Sequence, residues 1–350
     1  MASKIQILDG GLGTSLIYDY GVIFTDGTPL WTSHVLLSDR DTLLRCQRDF
    51  GNVPVDIILT STYQASADGF AQTKTRDYPQ GIPASRVPGI LNDSVRVAEE
   101  AKQPGAKVAL SVGAYGATMK PCQEYTGRYD AAHGSAQRLQ VWHRERLALF
   151  VAGVPDLESR IGYMAMETIP RADEIEALRR AVDDVPALAG IPFWVACTFP
   201  GDELTLPSGD SIATAVEAML SPRVAKATPW AVGINCTDLW KMDPLLRQFE
   251  AAVEDALRKG YIQEWPALVM YPDGKNGKLY NVERGDWDLP QINRNPGEVP
   301  WERLTADVVR ATEARGQWKQ IVADVAYSGS DIIGGDDEQT QNSLILDVVE

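Results

Sequence analysis

Eight short apolar runs recur along the whole chain, and each ends in a polar or glycine-rich cluster. The first seven ends read LDGGLGT, LTSTYQAS, LSVGAYGA, METIP, ACTFP, GINCT and MYPDG, and the last reads IIGGDD. Short runs that are mostly apolar and often β-branched suit strands buried on both faces. They are expected at residues 5–9, 55–60, 107–111, 162–167, 193–198, 230–235, 267–271 and 331–334. Amphipathic stretches separate them. The clearest covers 243–259, where Leu245, Leu246, Phe249, Val253, Ala256 and Leu257 form one stripe and Gly260 follows as a stop. Others are expected over 38–50, opened by Ser38 and Asp39, over 173–182, and from about 338 onward. Alternating strands and helices imply a parallel sheet of the α/β class. Eight units imply a closed (β/α)8 TIM barrel, with an open doubly wound sheet as the alternative. In a barrel the chemistry sits on the rim formed by the carboxyl ends of the strands.

The chain is 350 residues long with a 44% hydrophobic share, enough for one large barrel domain over 1–350. Three long connections, 71–88, 120–137 and 273–300, are expected to be rim loops that shape a pocket. A formal charge of −15 argues against a sequence-independent grip on nucleic acid and reads as a solubility feature. No stretch approaches roughly 18 uninterrupted apolar residues, so no membrane span is expected. Met1 to Lys4 carry no signal-peptide pattern, and Cys46, Cys122, Cys197 and Cys236 form no paired framework. A reducing, cytoplasmic setting and a small-molecule substrate are expected. The oligomeric state is not legible.

Four of the strand ends carry the candidate chemistry. LDGGLGT lacks a full dinucleotide fingerprint, because Leu16 stands where the third glycine would fall. It reads better as a strand end with Asp9 facing a pocket, where Gly10, Gly11 and Gly13 let backbone approach a small ligand. METIP puts Glu167 at the end of a strand otherwise built of Met and Ala. A carboxylate there costs free energy unless a substrate ammonium or an internal arginine pairs with it. GINCT brings Asn235 and Cys236 to the sixth strand end, and IIGGDD brings Asp336 and Asp337 to the eighth.

Taken together, these ends resemble the homocysteine S-methyltransferase family, a zinc-dependent (β/α)8 barrel. The resemblance runs from residue 7 to about 340. It is carried by ILDGGLGT, LWTS around Trp31, TSTYQAS with Tyr63, SVGAYGA, EYTGRY, HRERL, ETIP, GINCT, MYPDG and IIGG. It implies that Asp9 and Glu167 hold the amino-acid group of homocysteine, within a substrate pocket of Asp9, Gly10, Trp31, Tyr63, Glu167 and Asn235. It also implies a methyl donor such as S-adenosylmethionine, S-methylmethionine or betaine. The family's zinc is held by the Cys of GxNC and by two consecutive Cys in GGCC.

Here GINC supplies Cys236, but GGCC reads GGDD, with Asp336 and Asp337 in place of both thiolates. Gln47 is a second departure, where the family often carries His. A Cys/Asp/Asp site keeps the formal charge but is harder, and it blunts the nucleophilicity of a bound substrate thiolate. Three readings follow. Cys236, Asp336 and Asp337 hold zinc or another divalent metal; or Asp336, Asp337 and Glu167 work as acid–base groups on another small molecule; or the site is a catalytically silent ligand pocket.

Overall fold

The computed structural model describes residues 5–25, 27–273 and 299–324 in full, and 279–281 and 286–288 as backbone. Eight parallel strands close into a barrel in the order β1-β10-β7-β6-β5-β4-β3-β2. They are β1 (Ile5–Leu8), β2 (Ile57–Leu59), β3 (Lys107–Gly113), β4 (Tyr163–Ile169), β5 (Phe193–Cys197), β6 (Ala231–Asp238), β7 (Ala267–Asp273) and β10 (Ile321–Asp324). Between β7 and β10 lies a separate antiparallel pair, β8 (Leu279–Asn281) with β9 (Asp286–Asp288).

The expected (β/α)8 barrel is therefore present, but its closing strand is not the one expected. Ile321–Asp324 pairs with β1 on one side and β7 on the other, whereas 331–334 lies outside the described residues. Ile321–Ala323 is a short apolar run five residues beyond the helix Trp301–Arg315, the usual length of such a connection. The run IIGG has the same local character, so periodicity cannot separate the two; closure of the sheet does. The helix expected from 338 onward and the carboxylates Asp336 and Asp337 also fall outside the described residues.

The helices follow their periodicity more closely. The stretch 243–259 forms Met242–Arg258, and Gly260 ends it with φ +70. The stretch 173–182 forms Ala172–Asp183. The helix expected over 38–50 runs from Arg40 to Asn52, and Asp39, not Ser38, caps it by accepting from the Thr42 N–H at 3.0 Å.

Strand alternation sorts the apolar residues into two cores. Met164 and Met166 of β4, Val232 and Ile234 of β6, and Leu268 and Met270 of β7 face outward into the core shared with the helices. Tyr163 and Ala165, Ala231, Ala267 and Val269, with Val322 and Trp194, fill the barrel interior. Full burial of a large apolar side chain contributes roughly 1.5–3 kcal/mol, so register is firmly held. Continuing the same alternation toward the carboxyl ends puts Ser111, Glu167, Asn235, Tyr271 and Asp324 inward. The interior is apolar below and polar at its mouth.

Candidate active site

Two β-bulges build one wall of this mouth. Register shifts between Met166 and Ile169 in β4, and between Asn235 and Asp238 in β6. Each bulge contains a non-glycine residue in the left-handed region, Thr168 at φ 58 and Cys236 at φ 47. Such a conformation costs on the order of 1–3 kcal/mol and persists only where surroundings hold it. Asn235 does the holding. Its Oδ1 accepts from the Thr168 N–H at 2.8 Å, and its Nδ2 donates to Thr168 Oγ1 at 2.7 Å. The same Nδ2 lies 3.2 Å from Cys236 Sγ. Simple alternation would turn Cys236 outward; the bulge keeps its sulfur at the mouth. The Tyr125 hydroxyl also hydrogen-bonds Cys236, although the Tyr125 residue as a whole is 43% exposed.

Two carboxylates share this mouth, Glu167 within the β4 bulge itself and Asp9 just beyond the end of β1. Glu167 is 6% exposed, and its Oε1 accepts from Ser111 Oγ at 2.5 Å. Tyr271 also donates to it and is itself met by Trp194 Nε1 at 3.3 Å. Burial pushes the Glu167 carboxyl up to about 7, and these hydrogen bonds only partly oppose that. Asp9 is 2% exposed, and its Oδ2 accepts from the Leu59 N–H at 2.8 Å. Its Oδ1 is buried with no hydrogen-bond partner among the described residues. Burial raises Asp9 well above the usual carboxylate range, and repulsion from Glu167 adds to the rise. No basic side chain among the described residues offsets either group. The first and fourth strand ends thus converge on one mouth, and Asn235 and Cys236 of the sixth join them.

The aromatic residues expected at the site are held by glycines and by a buried arginine. A Cβ on Gly113 would stand 2.5 Å from the Tyr63 ring, and one on Gly13 would stand 2.3 Å from the Trp31 ring. Only glycine lets those rings lie against the backbone. Trp31 and Tyr63 meet edge to face with centroids 6.4 Å apart. Arg146, from HRERL, donates to the carbonyls of Ala65 at 2.7 Å, Gly113 at 2.6 Å and Tyr63 at 2.6 Å. It pins the TSTYQAS loop to β3. Gln47 has a related task, since its Nε2 donates to the Leu59 carbonyl at 2.6 Å, and the Leu59 N–H holds Asp9. Gly10 is buried beside Asp9.

Ser111, Thr168, Tyr271, Tyr125 and Glu124 are further residues at the mouth beyond those singled out by motif. Ser111 and Tyr271 were accessible to the alternation rule, being inward positions two beyond Ala109 and Val269. Thr168 was not, because a bulge breaks that rule. A cleft of about 590 Å³ lined by Arg128, Arg171, Ser208 and Asp210, among others, flanks the loop after β4. None of Asp9, Glu167, Asn235 or Cys236 lines it.

The described residues do not fit a zinc centre of three thiolates. Cys236 is the one thiol among them at the mouth: Cys197 faces the outer core, Cys46 is buried in the helix Arg40–Asn52, and Cys122 is exposed. Among the described residues, no group of three His, Cys, Asp or Glu side chains gathers to hold a metal ion.

Comparison with known proteins agrees with this architecture. The family model described as homocysteine S-methyltransferase matches residues 6–335. A betaine-homocysteine S-methyltransferase of Drosophila melanogaster is 32% identical over 279 residues, covering 75% of this chain and 76% of that protein. Homocysteine S-methyltransferase 1 of Brassica oleracea var. italica is 29% identical over 295 residues, covering 80% and 79%. The crystal structure of the Escherichia coli homocysteine methyltransferase MmuM in its metallated form superposes with a TM-score of 0.65. It is 22% identical in sequence and covers 92% of each chain, a likeness of fold. A barrel mouth with Asp9 of DGG, Glu167 of ETIP and Cys236 of GINC, matched by a family model over nearly its whole length, belongs to the homocysteine S-methyltransferase family of methyltransferases.

Proposed function

We propose that this protein transfers a methyl group to the sulfur of homocysteine or a closely related thiol amino acid, bound by its ammonium between Asp9 and Glu167. One observation carries the reading. Among the described residues, Asp9 Oδ1 is buried without a partner, beside a second buried carboxylate and with no basic side chain to offset either. Such a pair costs several kcal/mol unless a cation completes it. A substrate ammonium does so, and it brings the thiol to the mouth that Asn235 and Cys236 share. There Asn235 Nδ2 and the Tyr125 hydroxyl already donate toward Cys236 Sγ, so they are placed to hold sulfur in anionic form. The nucleophile is the substrate thiolate, which takes the methyl carbon while the bonding pair returns to the donor heteroatom.

Zinc held by Cys236, Asp336 and Asp337 is a separate proposal, and no step above runs through it. Metal analysis of protein purified without added metal tests it directly. One zinc per chain, lost in Asp336→Ala, would establish the carboxylates as ligands. The function is tested by incubating the protein with homocysteine and each of S-adenosylmethionine, S-methylmethionine and betaine. Methionine formation with at least one donor is expected.

A second reading rests on Glu167, which burial holds near neutrality and so equips for proton exchange with another small molecule. Saturable binding of amino acids without methyl transfer from any donor would favour it.

A further inference from the structure

Glu124, in EYTGRY, is a third buried carboxylate with nothing in the fold to account for it. It is 6% exposed, and its Oε2 is buried without a hydrogen-bond partner. Its backbone is seated on the turn after β3: the Gln123 N–H donates to the Gly116 carbonyl at 2.8 Å, and a Cβ on Gly116 would stand 2.7 Å from the Glu124 nitrogen. The side chain is therefore placed by rigid backbone rather than by a partner of its own. Burial raises the carboxyl to about 7, opposed only by its own backbone N–H.

Its neighbours locate it in the pocket. The Tyr63 hydroxyl, which hydrogen-bonds Thr168, is influenced by Glu124, by Cys236 and, more weakly, by Glu167. The Tyr125 hydroxyl, bonded to Cys236, is influenced by Tyr63 and Glu124. Glu124 thus adds a buried carboxylate beyond Asp9 and Glu167 to the surroundings of Tyr63, Tyr125 and the Cys236 sulfur. The acceptor's ammonium is taken by Asp9 and Glu167, which leaves Glu124 to meet positive charge on the second reactant.

We propose that Glu124, with Tyr63 and Tyr125, seats the positive pole of the methyl donor and selects a sulfonium donor of net positive charge over a zwitterion of no net charge. This rests on the methyl-transfer reading. Three buried carboxylates, with no offsetting base among the described residues, favour a donor that brings surplus positive charge. A zwitterion such as betaine brings no such surplus. In the transfer, a bond forms between the acceptor sulfur and the methyl carbon, and the methyl–sulfonium bond breaks with its electron pair passing to the donor sulfur. The acceptor's thiol proton is released to solvent. The spent donor is a neutral thioether that has lost the charge Glu124 reads, which favours its release.

Calorimetric titration of S-methylmethionine, its neutral counterpart methionine, and homocysteine into wild type and Glu124→Gln tests this. In wild type, S-methylmethionine is expected to bind at least tenfold more tightly than methionine. In Glu124→Gln that preference is expected to collapse to about twofold, with homocysteine affinity unchanged. Absence of the preference in wild type overturns the proposal whether or not the variant folds. So does a variant that keeps the preference, or one that loses homocysteine affinity equally. Loss of the preference in a protein whose wild type transfers no methyl group would leave Glu124 as the sulfonium site and remove the reaction instead.

Discussion

Two sets of buried charges in this chain are treated in opposite ways. Behind the mouth, Glu174 accepts from the Tyr115 N–H at 2.7 Å, from His143 Nε2 at 2.9 Å and from the Tyr129 hydroxyl. Arg146 is spent on backbone carbonyls, and Arg179 donates to those of Ala218 at 2.8 Å, Ser221 at 2.9 Å, Ala225 at 2.9 Å and Ala227 at 2.8 Å. At the mouth, Asp9 and Glu124 each keep a buried oxygen with no partner. Burial alone does not distinguish structure from function. Asp9 and Glu124 each leave an oxygen open, and Glu167, though hydrogen-bonded by Ser111 and Tyr271, has no cation among the described residues, so these carboxylates are left to a ligand's charge.

That contrast yields predictions of opposite sign. The largest effect is expected at Arg146→Ala, which strands the carbonyls of Ala65, Tyr63 and Gly113. At about 1–3 kcal/mol for each unsatisfied buried group, the loss is about 3 kcal/mol or more, read as a fall in denaturant midpoint. Arg146→Lys is not expected to restore it, because one ammonium cannot span the same fork. If Arg146→Ala proved neutral, the idea that the saturated charges carry the fold would be wrong.

Glu167→Gln is expected to act the other way. It weakens amino-acid binding by roughly 1–3 kcal/mol through loss of a charge-assisted hydrogen bond, measured by calorimetry. Without ligand it leaves thermal stability at pH 8 unchanged or raised, since an uncompensated buried charge is removed. A lowered Tm with unchanged affinity would place Glu167 among the structural charges.

The smallest effect is a pH dependence. Glu167 and Glu124 rise from 4.5 to about 7 in the fold, so between those values the folded state holds protons that the unfolded chain has released. Ligand-free stability from these groups is therefore present at low pH and declines as pH rises from about 4.5 to 7. Binding of an ammonium ligand runs oppositely and weakens as pH falls through about 7. Stability and affinity curves of the same sign would break the assignment.

Alternation and order of motifs carried the site a long way. Asp9, Glu167, Asn235 and Cys236 each stand at the end of an apolar run, and those ends meet. Thr168 and the outward-to-inward turn of Cys236 escaped local reading, because a bulge is decided by the neighbouring strand and by Asn235. Glu124 escaped because it lies in a loop, where no period says which way a side chain points. The closing strand was misplaced because two apolar runs near the end of the chain look alike until one of them pairs with β1.

By itself the chain order of these residues determined the barrel, its polar rim and the family, since strand period, buried pattern and motif spacing are properties of neighbours along the backbone. Only the closed tertiary structure decided which run sealed the sheet, which buried charges found partners, and that Glu124 is buried with an oxygen left open. Those depend on atoms distant in sequence meeting in space, where desolvation is felt and hydrogen bonds are either made or left open.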